Sequence, residues 1–331
     1  MPVWLWYCVR ARSFWFFTAA DPSLTFGGFE GEGKQEMYEQ LPPGTYPETV
    51  YIEPGTDWIT VKEQILQNNF SYPFVAKPDV GMMGFMFRII YNEEQLQLYH
   101  AKMPIKFLIQ KFVDYENEYA LFYYRLPNTT KGTISGLLSK SPPKIMGDGK
   151  SDIATLIENN PDLKFKIDEM QSKHKEQLKR VLPKGETFVL SQASNRSQGG
   201  KLTNLSHQID AELTQRFDAL SLYTQHFYYG RYDIKCDSLE DLKQGKNFSI
   251  LEFNGTGAGV QHVYGDNLSL FSACKVILKH WHKLFQIAMI NHRNGVEFWE
   301  HKAGRKFLRE AKKNLHRLKQ LDADFPDFTG A

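Results

Sequence analysis

Short apolar runs of strand length recur along the chain and predict β-strands. They lie at 72–78, 85–91, 106–113, 117–126, 187–192, 231–237 and 247–254. In the last two, "RYDIKCD" and "NFSILEFN", apolar and polar residues alternate, and a polar stretch joins them. This arrangement predicts a β-hairpin.

Apolar residues at helical spacing predict helices between these strands, whereas clusters of Gly, Pro and polar residues predict loops. The predicted helices are 57–69, 92–102, 151–159, 163–180, 208–227, 267–292 and 299–321, and the main predicted loops are 21–57 and 194–201. Because the strands and helices do not follow a strict β-α-β order, the pattern predicts an α+β fold rather than a doubly wound sheet.

Composition narrows the class of protein. The chain has 331 residues, of which 42% are hydrophobic, and its net charge of +2 gives no reason to expect a nucleic-acid partner. Cys8, Cys236 and Cys274 are widely spaced and odd in number, which predicts neither a disulfide framework nor a zinc site and favours the cytoplasm.

The aromatic N-terminus resembles a targeting segment, but Arg10 and Arg12 lie inside its apolar run rather than before it. Its apolar pieces, 3–9 and 14–20, are far shorter than the roughly 20 residues that a membrane span needs. We therefore expect two buried or docked segments here, with contact to a membrane surface as the less favoured alternative.

The predicted hairpin brings together side chains that suit a metal ion. Alternate residues of a strand share a face, so pairing places Asp233 near Glu252 and Asn254. Two carboxylates and an amide oxygen are ligands that Mg²⁺ accepts, and Arg231 beside them can balance charge or hold phosphate. The alternative is a solvated hairpin face with cross-strand ion pairs.

A second candidate is "FVAKPDVGMMGF", in which Lys77 ends a strand and a Gly81-x-x-Gly84 turn leads to the next. Glycine loops offer backbone N–H groups to phosphate and a lysine adds a positive charge, although an ordinary glycine hairpin is the alternative. By contrast, "GDGKS" at 147–151 follows no apolar strand and has Lys144 where a phosphate-binding loop needs glycine, so it predicts a turn before a helix.

The third candidate is "LIQKFVDYENEY" at 108–119, where a strand, a bend and Glu118 could frame a nucleoside. Taken alone, this segment is better explained as an edge strand with a solvated acid.

Together and in this order, these segments resemble the ATP-grasp superfamily, and most closely its D-alanine–D-alanine ligase and cyanophycin or glutathione synthetase types. The residues that carry the resemblance are "FVAKPDVGMMGF", "LIQKFVDYENEY", "MGDGKSDIATLI", "SNRSQGG", "GRYDIK" and "LEFNGTG". "GGFEGEGK", with Lys34, resembles the first lysine region of the family only loosely.

The resemblance implies two α+β subdomains that grip ATP, and an Mg²⁺-dependent, ADP-forming ligase that phosphorylates a carboxylate before an amine or thiol attacks the acylphosphate. It implies two Mg²⁺ ions, or Mn²⁺, on Asp233, Glu252 and Asn254. Lys77 and Arg231 would be the catalytic cations. The nucleotide would contact Lys77, Gly81, Met82, Met83, Gly84, Gln110, Lys111, Phe112, Val113 and Glu118. Weaker substrate candidates are Lys140, Lys144, Arg196, Gly255 and Gly257.

The resemblance divides the chain into a loop-rich arm at 1–45, ATP-grasp subdomains at 46–105 and 106–265, and a helical extension at 266–331. The chain departs from the family in its short N-terminal region and in having Gln110-Lys111 where the nucleotide hinge usually carries an acid. The substrates are therefore expected to be small molecules, a carboxylate and an amine, of unspecified identity.

Two other functions stay open at this stage. An ATP-grasp kinase would stop at phosphoryl transfer with the same metal site. A non-catalytic nucleotide-binding or scaffold protein would have no reason to keep all of Lys77, Arg231, Asp233, Glu252 and Asn254.

The final helix carries an apolar stripe, Phe307, Leu308, Ala311, Leu315 and Leu318, among basic residues. This pattern favours a helix packed on its own domain, with a membrane surface or an acidic protein as the alternative partner.

Overall fold

The computed structural model describes residues 2–168, 175–191, 194, 199–264, 268–326 and 328. The strands are β1 Thr49–Ile52, β2 Phe74–Pro78, β3 Arg88–Ile90, β4 Phe107–Lys111, β5 Asn117–Tyr124, β6 Thr133–Ser141, β7 Lys144–Met146, β8 Thr187–Val189, β9 Lys201–Asn204, β10 Tyr229–Cys236 and β11 Phe248–Asn254. The α-helices are α1 Pro2–Ala11, α2 Lys34–Tyr38, α3 Trp58–Gln67, α4 Glu93–Lys102, α5 Ile153–Glu158, α6 Ala211–Tyr223, α7 Leu239–Gln244, α8 Leu270–Arg293 and α9 His301–Ala323. Helices and antiparallel sheets in this order confirm the α+β prediction.

The chain forms two compact units, one of residues 139–203 and one of residues 1–138 with 204–331. The smaller unit lies within residues 106–265, the second ATP-grasp subdomain expected from the resemblance. The division of the chain into four parts stays a prediction.

The first sheet of the large unit has the strand order β1-β4-β2-β3, with antiparallel pairs throughout. Asp57 and Asn92 are the N-cap residues of α3 and α4. Their side chains accept hydrogen bonds from the backbone N–H groups of Thr60 and Gln95 and so cap the first turns. Strand β3 is shorter than the run predicted at 85–91.

The second sheet has the order β11-β10-β5-β6-β9. Strands β10 and β11 form the predicted antiparallel hairpin. The connection is not simply a polar loop as predicted, because Ser238 caps a short helix, α7, by accepting the N–H of Asp241.

The N-terminal region packs on α8. A 3-10 turn, Phe16–Ala19, is fully buried, as predicted for 14–20, whereas α1 buries Tyr7 and Cys8 and exposes Leu5, Trp6 and Val9. The prediction of loop and extended structure over 21–57 was wrong at α2, where residues 34–38 are helical.

In the unit 139–203, Ile145, Ile153 and Ile157 belong to a separate small core. The turn predicted at "GDGKS" is present, since Asp148 accepts the N–H groups of Lys150 and Ser151 at 2.8 and 2.7 Å. Of the helix predicted at 163–180, the described parts include 3-10 turns at Lys164–Lys166 and Gln177–Lys179 and helical residues at 167–168, whereas 169–174 lie outside the described residues.

The prediction that the final helix packs on its own domain is confirmed at the C-terminal end of that helix. Leu318 of α9 is buried in the core of the first sheet, and Asp322 forms an ion pair of 2.9 Å with Arg88. Across the described residues, no helix is both long and apolar enough to span a membrane.

Candidate active site

The predicted carboxylate cluster forms at the β10–β11 hairpin. Asp233 lies opposite Glu252 and Arg231 lies opposite Asn254, so alternation on both strands directs all four side chains to one face. Asn254 Nδ2 lies 3.4 Å from Asp233 Oδ2 and 3.4 Å from Glu252 Oε2. The three side chains predicted to hold metal therefore converge.

Arg231 grips Asp233 in a two-pronged ion pair. Its Nε and Nη2 donate to Oδ1 and Oδ2 at 3.0 Å each. Both side chains are nearly buried, with exposed fractions of 11% and 7%. A planar, bidentate pair of this kind holds the guanidinium in a fixed orientation beside the carboxylates.

Lys34 pairs with the other carboxylate. Its Nζ lies 3.3 Å from Glu252 Oε1 and donates to the carbonyl oxygen of Gly81 at 3.4 Å. Burial acts to raise the pKa of Glu252, but the positive charges of Lys34, Lys77 and Arg231 outweigh it, and the pKa lies below its ordinary value. Glu252 is therefore held as a carboxylate.

Lys77 comes to the same place from the first sheet. Its Nζ contacts the hydroxyl of Tyr38 at 3.5 Å, and no described carboxylate lies within ion-pair distance of it. Burial, with repulsion from Lys34, lowers the pKa of Lys77 from 10.5 to about 7. Among the described residues of the site, Lys77 is thus the cation without a carboxylate within ion-pair distance.

The glycine loop lies beside these groups. Met82 and Met83 expose 39% and 47% of their surface. Met83 and Gly84 both have a positive φ, so the chain turns sharply before β3. The hydrogen bond from Lys34 to Gly81 joins this loop to Glu252 through one side chain.

The predicted nucleotide hinge is partly occupied by the protein's own hydrogen bonds. Gln110 is buried and donates to Thr49 Oγ1 at 2.8 Å, while the N–H of Lys111 donates to the Glu48 carbonyl at 2.9 Å. The carbonyl of Val113 accepts from Lys235 at 3.0 Å, and that lysine also lies 5.7 Å from the ring centre of Phe112. Roles for Gln110–Val113 in nucleotide binding stay predictions.

Glu118 lies opposite Lys235 on the adjacent strand, β5, and its negative charge acts on Arg231. The acid therefore belongs to the electrostatic surroundings of the site, and its contact with a ribose stays a prediction.

The glycines after Asn254 have a structural reason that the sequence did not reveal. A Cβ at Gly257 would lie 1.9 Å from the carbonyl oxygen of Phe29, and one at Gly255 would lie 2.8 Å from that of Gly27. Segments 255–257 and 27–28 are also joined by backbone hydrogen bonds. The close approach that these glycines permit is to the chain's own backbone, and the contact of Gly255 and Gly257 with a substrate stays a prediction.

The other substrate candidates are not brought to this site by anything described. Lys140 is buried on β6 and Lys144 is exposed on β7, both within the unit 139–203. Arg196 lies outside the described residues.

The donor set fits a hard divalent cation. Carboxylate and amide oxygens are the ligands that Mg²⁺ takes, usually from one or two carboxylates with water and phosphate completing its shell. No group of three or more His, Cys, Asp or Glu side chains in the described residues could hold a metal ion. Two acids with an amide therefore leave most of the coordination to a phosphate ligand and to water.

Sequence reasoning missed several groups that the fold brings here. Tyr38 donates to the carbonyl of Leu251 on β11 while contacting Lys77, and so links the two sheets. Burial raises the pKa of Glu32 to about 7, and the charge of Glu252 acts in the same direction. The one sequence signal for these groups was the acidic segment "GGFEGEGK", in which Lys34 only loosely resembles the first lysine region of the family.

Comparison with known proteins finds similar structures but does not assign the chain to a family. No protein-family model matches the sequence, and no curated protein is significantly similar to it. The similarities that were found are to solved structures.

A bifunctional glutathione synthetase from Pasteurella multocida is 15% identical with a TM-score of 0.42; the match covers 76% of this chain but 36% of that one. A D-alanine–D-alanine ligase from Bacillus anthracis is 13% identical with a TM-score of 0.43, covering 80% and 69%. VanG D-Ala:D-Ser ligase from Enterococcus faecalis is 12% identical with a TM-score of 0.40, covering 73% and 57%.

Ligases of the types to which the sequence was likened are thus among the solved structures to which this chain is similar. At these identities and TM-scores the similarities carry no argument about activity. The case for function rests on the site.

Proposed function

We propose that the protein is a magnesium- and ATP-dependent ligase that phosphorylates a small-molecule carboxylate and then passes the acyl group to an amine or a thiol. The observation that carries the proposal is the charge pattern of the site. Lys34, Lys77 and Arg231 surround two carboxylates, and Lys77 alone has no carboxylate partner among the described residues.

This pattern suits a polyanionic ligand. A buried lysine with a pKa of about 7 gains its charge when negative groups come close, which is what a triphosphate provides. Transfer of a phosphoryl group needs alignment and neutralisation of charge more than covalent help, and cations from three separate segments provide both.

Asp233, Glu252 and Asn254 would hold the magnesium ions, which when bound neutralise phosphate charge. Lys77 would contact the phosphates, and the 79–84 loop would cover them. Arg231 would hold the reacting carboxylate.

We also propose a cytoplasmic location. Cys8, Cys236 and Cys274 are free thiols, which is typical of a reducing compartment.

The test is the pair of variants Glu252→Gln and Glu63→Gln. Glu63 is exposed on α3, far along the chain from the site, so its variant controls for the loss of one acid. We expect Glu252→Gln to lose ADP release from ATP in a screen with pooled amino acids, dipeptides and hydroxy acids, and Glu63→Gln to retain it. Unchanged turnover in Glu252→Gln would refute the metal assignment.

Analysis of the products separates the possible reactions. A ligase releases ADP and inorganic phosphate, whereas a kinase releases ADP and a stable phosphorylated product. Nucleotide binding without ADP release under any condition would contradict an enzymatic function.

A further inference from the structure

A cavity of about 740 Å³ lies in the large unit, at the end of the strands that carry the candidate active site. This volume is within the 300–1,000 Å³ of ordinary small-molecule pockets. Its wall is mainly apolar and aromatic, and it includes Trp4, Trp15 and Trp281. The sequence predicted buried aromatic segments here but no cavity.

The cavity is adjacent to Arg231 of the candidate active site. Tyr229, which lines it, is two residues before Arg231 on β10, so both residues face the same side of the sheet about 7 Å apart. Arg231 Nη1 also donates to the carbonyl of Gly259 at 3.5 Å, and Ala258 and Val260 on either side of that glycine line the cavity. Arg231 thus lies next to the cavity wall.

Thr256 places a polar side chain in the mainly apolar wall. Thr256 is 6% exposed, and its Oγ1 is buried without a hydrogen-bond partner among the described residues. The backbone N–H of Thr256 donates to the Gly27 carbonyl at 3.1 Å, which fixes the residue in place. Because a buried hydroxyl without a partner costs free energy, it points to a ligand atom that completes it.

Charge at the cavity agrees with an acidic ligand. Arg305 of α9 lines it, is exposed, and forms no ion pair with any described residue. A positive charge beside an apolar cavity favours molecules with an apolar body and a negative group.

We infer that this cavity binds the apolar body of the carboxylate substrate, with a polar substituent near the carboxyl group hydrogen-bonded to Thr256. The substrate class is thus an amphiphilic carboxylate with a long aliphatic or aromatic chain. This inference rests on the proposed function for the position of the carboxyl group, but the cavity's ligand can be tested without turnover.

The first measurement is binding of butanoate, hexanoate, octanoate and decanoate to the full chain, each below its micelle concentration, followed by tryptophan fluorescence. Trp4, Trp15 and Trp281 supply the signal from within the wall. We expect the Kd to fall by up to about fourfold for each added methylene group until the cavity is filled. A Kd that does not depend on chain length would overturn the inference.

Two matched substitutions locate the binding. Leu5 and Leu66 are both helical leucines, exposed by 54% and 73%, but only Leu5 lines the cavity. Leu5→Glu puts a carboxylate into the wall and is expected to weaken decanoate binding at least tenfold, whereas Leu66→Glu leaves it unchanged. Equal effects of the two substitutions would place the binding elsewhere and refute the inference.

The role of Thr256 is tested with 2-hydroxydecanoate against decanoate. The added hydroxyl is expected to tighten binding about three- to tenfold, as one hydrogen bond does. The gain should disappear in Thr256→Val and persist in Thr256→Ser. A gain that survives in Thr256→Val would refute this contact.

ADP release measured with the same compounds separates the two proposals. Binding that depends on chain length, without ADP release from Mg·ATP, supports the cavity and contradicts the ligase. ADP release that is equal for butanoate and decanoate, with a flat binding series, supports the ligase and overturns the cavity's role.

Discussion

Replacing Lys77 by methionine is expected to stabilise the protein while removing nucleotide binding. The substitution keeps an unbranched side chain of similar length in a place where burial opposes a positive charge. We expect the wild-type protein to carry this cost because Lys77 Nζ donates to the Tyr38 hydroxyl and, among the described residues, has no carboxylate within ion-pair distance.

The magnitude follows from the pKa. The pKa of Lys77 is about 7 in the folded state and 10.5 in the unfolded state. Between pH 7 and pH 10.5, the folded protein therefore binds fewer protons at this residue than the unfolded protein does. The stability of the wild-type protein therefore rises with pH across the window, and the cost is fully present below about pH 7. At 1.36 kcal/mol for each pKa unit, the gain from Lys77→Met is up to about 4 kcal/mol at pH 7 and about 2 kcal/mol at pH 9.

The assay is urea unfolding of both proteins at pH 7 and pH 9 without nucleotide, with binding of Mg·ADP measured in parallel. Lys306→Met, which changes an exposed lysine of α9, controls for the general effect of losing one positive charge. The reasoning is refuted if Lys77→Met is less stable than wild type at pH 7, or if its advantage does not shrink at pH 9.

Two further substitutions test the framework of the large unit. Asp322→Ala removes the 2.9 Å ion pair with the buried Arg88 and the acceptor for the Met86 N–H, so urea unfolding should show a loss of about 1–3 kcal/mol; a loss below 1 kcal/mol would contradict a structural role. Gly257→Ala puts a Cβ 1.9 Å from a backbone oxygen and should lower the melting temperature markedly, whereas Gly259→Ala, whose Cβ meets only a side chain at 3.9 Å, should not; equal melting temperatures would show that the 255–257 segment is not packed as described.

The hairpin was predictable because its information is local. Alternation of polar residues on two nearby runs determines which side chains share a face, and a short connection leaves antiparallel pairing as the simplest arrangement. That pattern predicts that Asp233, Glu252 and Asn254 come together, but the pairing of Asp233 with Glu252 also depends on a shift in register between Asp233 and Ile234 that alternation does not reveal.

Contacts between segments far apart in the chain were not predictable in this way. Tyr38 reaches Leu251 across 213 positions, and no periodicity relates a five-residue helix to the strand on which it packs. The packing constraint on Gly257 was not predictable for the same reason, since it comes from the backbone of Phe29 rather than from its own neighbours.

The carboxylates of the site limit the mutual repulsion of its cations. The repulsion between Lys34 and Lys77 contributes to the lowered pKa of Lys77. Glu252 limits that repulsion by pairing with Lys34, as Asp233 pairs with Arg231. Each carboxylate thus stabilises a neighbouring cation in the ligand-free protein, and the same oxygens are the ones suited to a divalent metal. Lys77 has no carboxylate within ion-pair distance among the described residues, and under the proposed function a ligand that brings negative charge would supply that partner.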